Sequence, residues 1–388
     1  MNWFTAICAV FSLVGLGQAL AGWWLLRRFL ARPVAPAVKL PPVSVLKPLH
    51  GDEALLEAAL ASLCAQDFPI FQIVFGVQDK ADPALAVVSR LRARFPQTDI
   101  AVVVDGTRHG ANHKVGNLIN MFPAAKHDIL VIADSDMHVA PDYLSRLVAA
   151  LAVPGVGLVT TLYAGLPATR KMPALLGAGW INHVFVPGAL LARALGRQDC
   201  LGATMALRRE TLARIGGLAA LAGHLADDNV LGQLVRAQGQ AVALADTIVA
   251  TTVAEATLAE LFRHELRWAR TIRALEPMGF AASVLQYKLA WAALALLAAP
   301  GFPMLGFFAA IWAGAALAAW GTERSLAPRL KGLAIATPLW LLPMRDLMSL
   351  CVWAASHVGN RVVWRGHVLR ATAPAPPPVP PLGGDPSR

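Results

Sequence analysis

Two carboxylates one residue apart, Asp134 and Asp136, close the apolar run Ile129–Ile132. The first can reach a ribose hydroxyl or a metal. The second can complete a Mg2+ or Mn2+ shell whose other ligands are phosphate oxygens and water. Such an ion screens a diphosphate and stabilises it as a leaving group. A second acidic pair, Asp227-Asp228, precedes the helical pattern Asn229–Gln238. One member can cap that helix, and the other can act as general base on a hydroxyl. Lys114 follows Asn112-His113 at a predicted helix start, between Gly110 and Gly116, where a cation can bind phosphate or a base. Arg267-Trp268 stands in Arg263–Arg270, just before a long apolar zone. Plainer roles are open to all of these: a helix cap, a surface lysine, an interfacial helix with Arg on headgroups and Trp in an aromatic belt. His183 and Cys200 read by themselves as packing or hydrogen-bonding residues, without metal-ligand spacing.

The elements that position these residues follow from composition and pattern. Of 388 residues, 56% are hydrophobic and only 15% charged, against about 25% in soluble domains. Wholly soluble and disordered chains are thereby excluded. Trp3–Leu26 carries no charge and is followed by Arg27, Arg28 and Arg32. It reads as a retained anchor with residue 27 onward in the cytoplasm, since a signal peptide has the opposite charge order. A second charge-free zone, Leu289–Thr322, is interrupted by Pro300, Gly301 and Pro303 and reads as a tight helical hairpin or one kinked span. A third, Gly332–Asn360, contains Arg345-Asp346, which should face protein or water. The expected domains are an anchor at 1–30, a cytosolic catalytic domain at 31–280, membrane segments at 281–360 and a basic, Pro-rich disordered tail at 361–388.

Between the anchors, short β-rich runs alternate with helical patterns: Val43–Leu46, Gln72–Val77, Ile100–Val104, Asp128–Ala133 and Gly157–Leu162 are the expected strands. This alternation predicts an α/β domain with a mostly parallel sheet and helices on both faces. Ligands of such sheets bind beyond the carboxyl ends of the strands. Asp79 and Asp82, Asp105, and Asp134 with Asp136 all fall at those ends. No GxGxxG follows the first strand, and neither GxxxxGK[ST] nor GxSxG occurs, so dinucleotide, P-loop and α/β-hydrolase readings have no support. Four scattered cysteines without a CxxC pair argue against a disulfide framework or zinc site. Nothing points to a nucleic-acid partner.

Taken together, the motifs resemble the ceramide glucosyltransferase family (glycosyltransferase family 21), including its bacterial relatives that glycosylate hopanoids. The resemblance covers about residues 42–275 and begins at Val43–Gly51, similar to the family's opening strand and KPL-x-G turn. Gln78–Pro83 looks like the first aspartate motif and gives Asp79 or Asp82 a nucleotide-binding role. Asp134 matches the second aspartate, and Asp136 the Asp-x-Asp form of related transferases. Asp228, in Ala226-Asp227-Asp228, matches the catalytic base. His183 and Cys200 fall where the family has a His and a Cys near the active site. The closing (Q/R)xxRW motif reads His264-Glu265-Leu266-Arg267-Trp268, so His264 departs at the first position. The resemblance implies a GT-A fold, a UDP-sugar donor, a divalent metal (Mg or Mn) and inversion at the anomeric carbon. It also implies a lipid acceptor, with Arg267 on the diphosphate and Trp268 shaping the acceptor pocket. The Ala-, Arg- and Gly-rich composition and the Asp-x-Asp form favour UDP-N-acetylglucosamine and the hopanoid bacteriohopanetetrol at a bacterial inner membrane. UDP-glucose and ceramide are the alternative. A non-catalytic membrane sugar-nucleotide-binding protein would keep this fold without needing Asp228. A transporter should lack so large an α/β domain.

Overall fold

A strand covered on both faces must be apolar throughout, and β1 (Val43–Pro48) is buried at every position. In the computed structural model, which describes residues 2–33, 40–330, 336–364 and 367–370, it lies inside an eight-stranded sheet. β1, β2 (Phe71–Val77), β3 (Asp99–Val104) and β4 (Ile129–Ala133) run parallel, with β1 between β2 and β4. The rest is β5 (Met137–His138), β6 (Val156–Pro167), β7 (Thr204–Arg208) and β8 (Ala241–Val253). The order is β3-β2-β1-β4-β7-β6-β8-β5. β7 pairs antiparallel with β4 and β6, and β5 antiparallel with β8. The sheet is therefore mixed and mostly parallel: two antiparallel pairings return β6 to the direction of β1–β4, and β7 runs against them. The expected mostly parallel sheet is present, with β7 reversed, a direction that nothing in its own sequence signals.

Alternation along the strands makes two cores. Val45, Ile73, Phe75 and Val131 face helices Leu56–Cys64, Ala84–Arg94 and Tyr143–Leu151. Leu46, Val74, Leu130 and Ile132 face helices His113–Met121 and Asp227–Ala237. Helices thus cover both faces, as predicted.

The chain divides into two compact units. The α/β unit comprises 33–163 and 197–252; the helical unit comprises the N-terminal helix, 164–196 and 253–373 as far as described. The single expected domain at 31–280 is thus two segments, with 164–196 assigned to the helices. Among the described residues, three helices are long and apolar enough to cross a bilayer: Trp3–Leu30, Met172–Ala194 and Phe302–Leu326. A pair bent by 61°, Pro277–Gln286 with Lys288–Ala298, makes a candidate fourth. Membrane association follows from their length and composition.

Within the helical unit, Trp3–Leu30 packs on Val186–Ala194, Lys288–Ala298 and Phe302–Leu326. Gly22 permits that approach: a Cβ there would lie 2.3 Å from the Pro187 Cβ. The charge-free zone 289–322 is a hairpin, since the helices flanking Pro300-Gly301 pack on each other. The third zone yields a 15-residue helix, Leu342–Ser356, shorter than the roughly 20 residues of a span. Two segments expected in the tail, Arg361–Trp364 and His367–Arg370, pair as antiparallel strands. The Arg270 guanidinium donates to the carbonyls of Val358 and Arg361 beside it. The remainder of the expected disordered tail, 371–388, lies outside the described residues.

Candidate active site

Strand β4 ends at Ala133 and delivers Asp134 and Asp136 to one edge of the sheet. Lys114 enters from helix His113–Met121, whose start is fixed by Asn112. The Asn112 side chain accepts from the Val115 N–H and donates to the His224 carbonyl at 2.8 Å. One residue thereby ties the lysine's helix to the turn ahead of Asp227. The Lys114 ammonium lies 2.7 Å from Asp134 Oδ1 and 3.4 Å from Asp227 Oδ2. Burial works against its charge, but Asp134, Asp227 and Asp228 outweigh this and hold its pKa above the ordinary value. Lys114 is therefore a buried bridge between two acidic segments rather than a surface lysine.

Asp228 stands in the first turn of helix Asp227–Ala237, where the helix dipole favours negative charge. Its Oδ1 accepts from the Asn229 N–H at 2.8 Å. Its Oδ2 lies 2.8 Å from where a Cβ on Gly202 would stand, so position 202 has no room for a side chain without moving the carboxylate. Burial, and then the neighbouring charge of Asp227, push the Asp228 carboxyl up to about 6. Asp136 is likewise raised to about 6, by burial and then by Asp134. It accepts a hydrogen bond from Thr251 Oγ1 on β8.

Sequence reasoning missed the group beneath this cluster. Lys47 on β1 is fully buried, and its ammonium donates to the Asp134 carbonyl. Burial lowers its pKa to about 8, against the pull of Asp136, Asp134 and Glu53. Glu53 accepts from Ser135 Oγ. The signal was present: a lysine inside an otherwise apolar strand requires a buried carboxylate or carbonyl partner. His138 gives no compensating charge, since burial lowers its pKa to about 4.

Five carboxylates (Glu53, Asp134, Asp136, Asp227 and Asp228) thus share two ammonium groups. The donor set fits a divalent ion at Asp134 and Asp136. The raised pKa of Asp136 reports two like charges crowded in a dry place, which a cation would relieve. Among the described residues no group of three or more His, Cys, Asp or Glu could hold a metal ion. Two carboxylates leave the other positions for phosphate oxygens and water.

Other expected site residues are placed differently. Asp79 is exposed and accepts from the Ala81 N–H of its own turn. Asp82 is buried, and its carboxylate accepts from the N–H groups of Gly51 and Ala84, fixing the turn after β1. Cys200 is buried in the α/β unit, and burial holds its thiol well above the ordinary pKa, so it is no thiolate ligand.

His183, His264, Arg267 and Trp268 belong to the helical unit. His264 bonds Glu255 and meets Trp268 edge-on, with ring centroids 4.4 Å apart; Trp268 also touches Trp180 at 5.5 Å. Burial would raise the Glu255 carboxyl, but the His264 bond and charge hold it below its ordinary value. The departure from the family motif at 264 therefore has a local function: Glu255 orients the imidazole against Trp268. Arg267 is half-buried on the same helix, Leu258–Leu275.

A family model described as glycosyl transferase family 21 matches residues 7–374. Ceramide glucosyltransferase of Komagataella phaffii is 37% identical over 124 residues, covering 31% of this chain and 24% of that protein. Ceramide glucosyltransferase 1 of Caenorhabditis elegans is 24% identical over 276 residues, covering 70% and 58%. The chain thus spans less than two thirds of the length of either relative. Among solved structures, the mannosyltransferase PcManGT of Pyrobaculum calidifontis, in complex with GDP-Man and Mn2+, is 22% identical and covers 92% of this chain and 99% of its own, with a TM-score of 0.49.

Proposed function

Since the chain belongs to glycosyl transferase family 21, we propose that it is a membrane-bound inverting transferase moving a sugar from a UDP-sugar to a hydroxyl of a lipid. The observation that carries this reading is the carboxylate excess around Lys114, with Asp228 raised to about 6. A base of that pKa is about nine-tenths ionised at neutral pH yet still basic enough to take a proton. Asp228 takes the proton of the acceptor hydroxyl as its oxygen attacks C1 of the sugar, and UDP departs from the opposite face. Gly202 leaves the Asp228 carboxylate its space. Lys114 holds Asp134 and Asp227 in register. A divalent ion, Mg or Mn, would be held by Asp134 and Asp136 and would screen the diphosphate charge. The resemblance assigns Arg267 to the diphosphate and Trp268 to the acceptor.

For the substrates we favour UDP-N-acetylglucosamine and the hopanoid bacteriohopanetetrol, on the composition and the Asp-x-Asp form. UDP-glucose and ceramide are the second reading, favoured by the likeness to two ceramide glucosyltransferases described above. Cytosolic sugar nucleotides and the basic residues after Leu26 support a cytoplasmic catalytic domain on a bacterial inner membrane. The test is mass spectrometry of lipid products from the purified full chain, given each UDP-sugar with each acceptor. An N-acetylhexosamine added to the hopanoid is the expected result. A hexose on ceramide selects the second reading, and no product from any pair overturns both.

A further inference from the structure

The helical unit contains a cleft that the site above does not use. It is lined by residues of five helical segments, including His183, Lys288, Ala315, Ala319, Arg345 and Asp346. Its empty space is about 400 Å3, open mouth included. Two ion pairs on its wall cancel, and its histidine bonds a carboxylate. Arg345 forks onto Glu265 at 2.8 and 2.7 Å, Lys288 faces Asp346 at 3.8 Å, and His183 bonds Glu323 at 3.0 Å. A wall where three carboxylates face two cations does not favour a phosphate or carboxylate.

Two buried atoms on this wall have no hydrogen-bond partner: His183 Nδ1 and Arg345 Nε. His183 is 8% exposed and Arg345 1%. Glu323 accepts from the Thr337 N–H at 2.9 Å, as a carboxylate does, so His183 donates to it through Nε2. The Nδ1 lone pair is then an acceptor, while Arg345 Nε–H is a donor. An unfilled acceptor and an unfilled donor in one cleft suit a group that both donates and accepts. Backbone geometry supports a binding role. His183 stands in a π-helical turn, Ile181–Phe185, a distortion common at functional sites. Asn182 pins that turn through both side-chain atoms to the backbone of Gly165. The alanines leave room along the wall, in an apolar helical unit suited to the bilayer.

We propose that this cleft binds the hydroxyl of an uncharged membrane lipid, with His183 Nδ1 accepting from the O–H and Arg345 Nε–H donating to its oxygen. It rests on the sugar-transfer reading only in drawing on the same class of lipid: the hydroxyl held here is not the one whose proton Asp228 takes. Binding itself needs no donor sugar, so the test omits one. The full chain in phosphatidylcholine nanodiscs is photolabelled with a long-chain primary alcohol carrying a diazirine in its alkyl chain. Label should appear on peptides spanning 311–322 and 342–349. Unlabelled alcohol should compete, whereas its methyl ether and the matching alkyl phosphate should not. His183→Phe should lower labelling about tenfold, the worth of one hydrogen bond. Should that variant aggregate, Ala319→Val narrows the cleft without touching a polar group and should lower labelling similarly. Equal competition by the ether overturns the proposal, because the hydroxyl is then not read. So does labelling unchanged by Ala319→Val, or no label at these peptides in monodisperse protein, which leaves water as the occupant. Absence of sugar transfer in the product assay would leave this result standing, so the two readings fail separately.

Discussion

The two units treat buried charge in opposite ways. Among the described residues of the helical unit, each buried Arg, Lys, Asp and Glu has a partner of opposite sign: Arg345 with Glu265 and Lys288 with Asp346. In the α/β unit, five carboxylates compete for two lysines, and two of those carboxylates are raised to about 6. Matched charges satisfy each other and hold helices together. Unmatched ones remain able to take a proton or a cation. The difference separates architecture from chemistry without reference to any motif.

The comparison breaks first at Asp228. Asp228→Asn keeps shape but removes the base. Turnover should fall about a thousandfold, within the usual range for a general base, while UDP-sugar binding by calorimetry is retained. Unchanged turnover would return Asp228 to the rank of a helix cap. In the helical unit the largest effect should be on stability. Arg345→Met leaves Glu265 buried without its fork and should cost about 3–5 kcal/mol in detergent unfolding. Arg345→Met with Glu265→Leu removes both charges and should recover most of that loss, because the penalty lies in the orphaned partner. A double variant no more stable than the single one would mean that the pair does more than neutralise itself.

A pH profile sharpens the same contrast. Asp228 works ionised, and its pKa is raised, so kcat/KM should rise with pH to a plateau with an apparent pKa of about 6, activity being lost as pH falls through that value. Asp227 is the second cause of the shift after burial. Asp227→Asn should therefore move the acid limb to lower pH. A limb unmoved by this change would assign the titration to another group, Asp136 being the alternative at about 6.

How much of this was legible in the sequence depends on the range of the signal. Strands β1, β2 and β4 were readable because burial on both faces writes a nearly continuous apolar run into each, and the half-exposed edge strand β3 from its β-branched run. Asp134, Asp136 and Asp228 were readable because they close such runs or open a helix. The antiparallel entry of β7 was not, since direction is decided by pairing partners distant in sequence. Met172–Ala194 was overlooked because Asn182, His183 and two prolines interrupt its apolar pattern, and its π turn accommodates them. Arg345 and Asp346 were expected to face protein or water. They do face protein, but each pairs with a residue remote in sequence: Arg345 with Glu265 and Asp346 with Lys288. Lys47 shows the same limit, since a buried lysine announces a partner without naming it.

The smallest effect tests whether matching or dryness gives an ion pair its weight. Arg90 and Glu57 are matched as well as Arg345 and Glu265 are, with nitrogen–oxygen distances of 2.8 and 2.7 Å. Their side chains, however, are 58% and 42% exposed, against 2% and 5% for the buried pair. Water already solvates both ends, so forming the pair releases little. Arg90→Ala should cost about 0.5 kcal/mol in low salt, and the cost should vanish near molar salt, where screening is nearly complete. A loss approaching that of Arg345→Met would show that pairing geometry alone sets the energy. A near-neutral result assigns the difference to desolvation, which is also what raises Asp136 and Asp228 beyond what their partners offset.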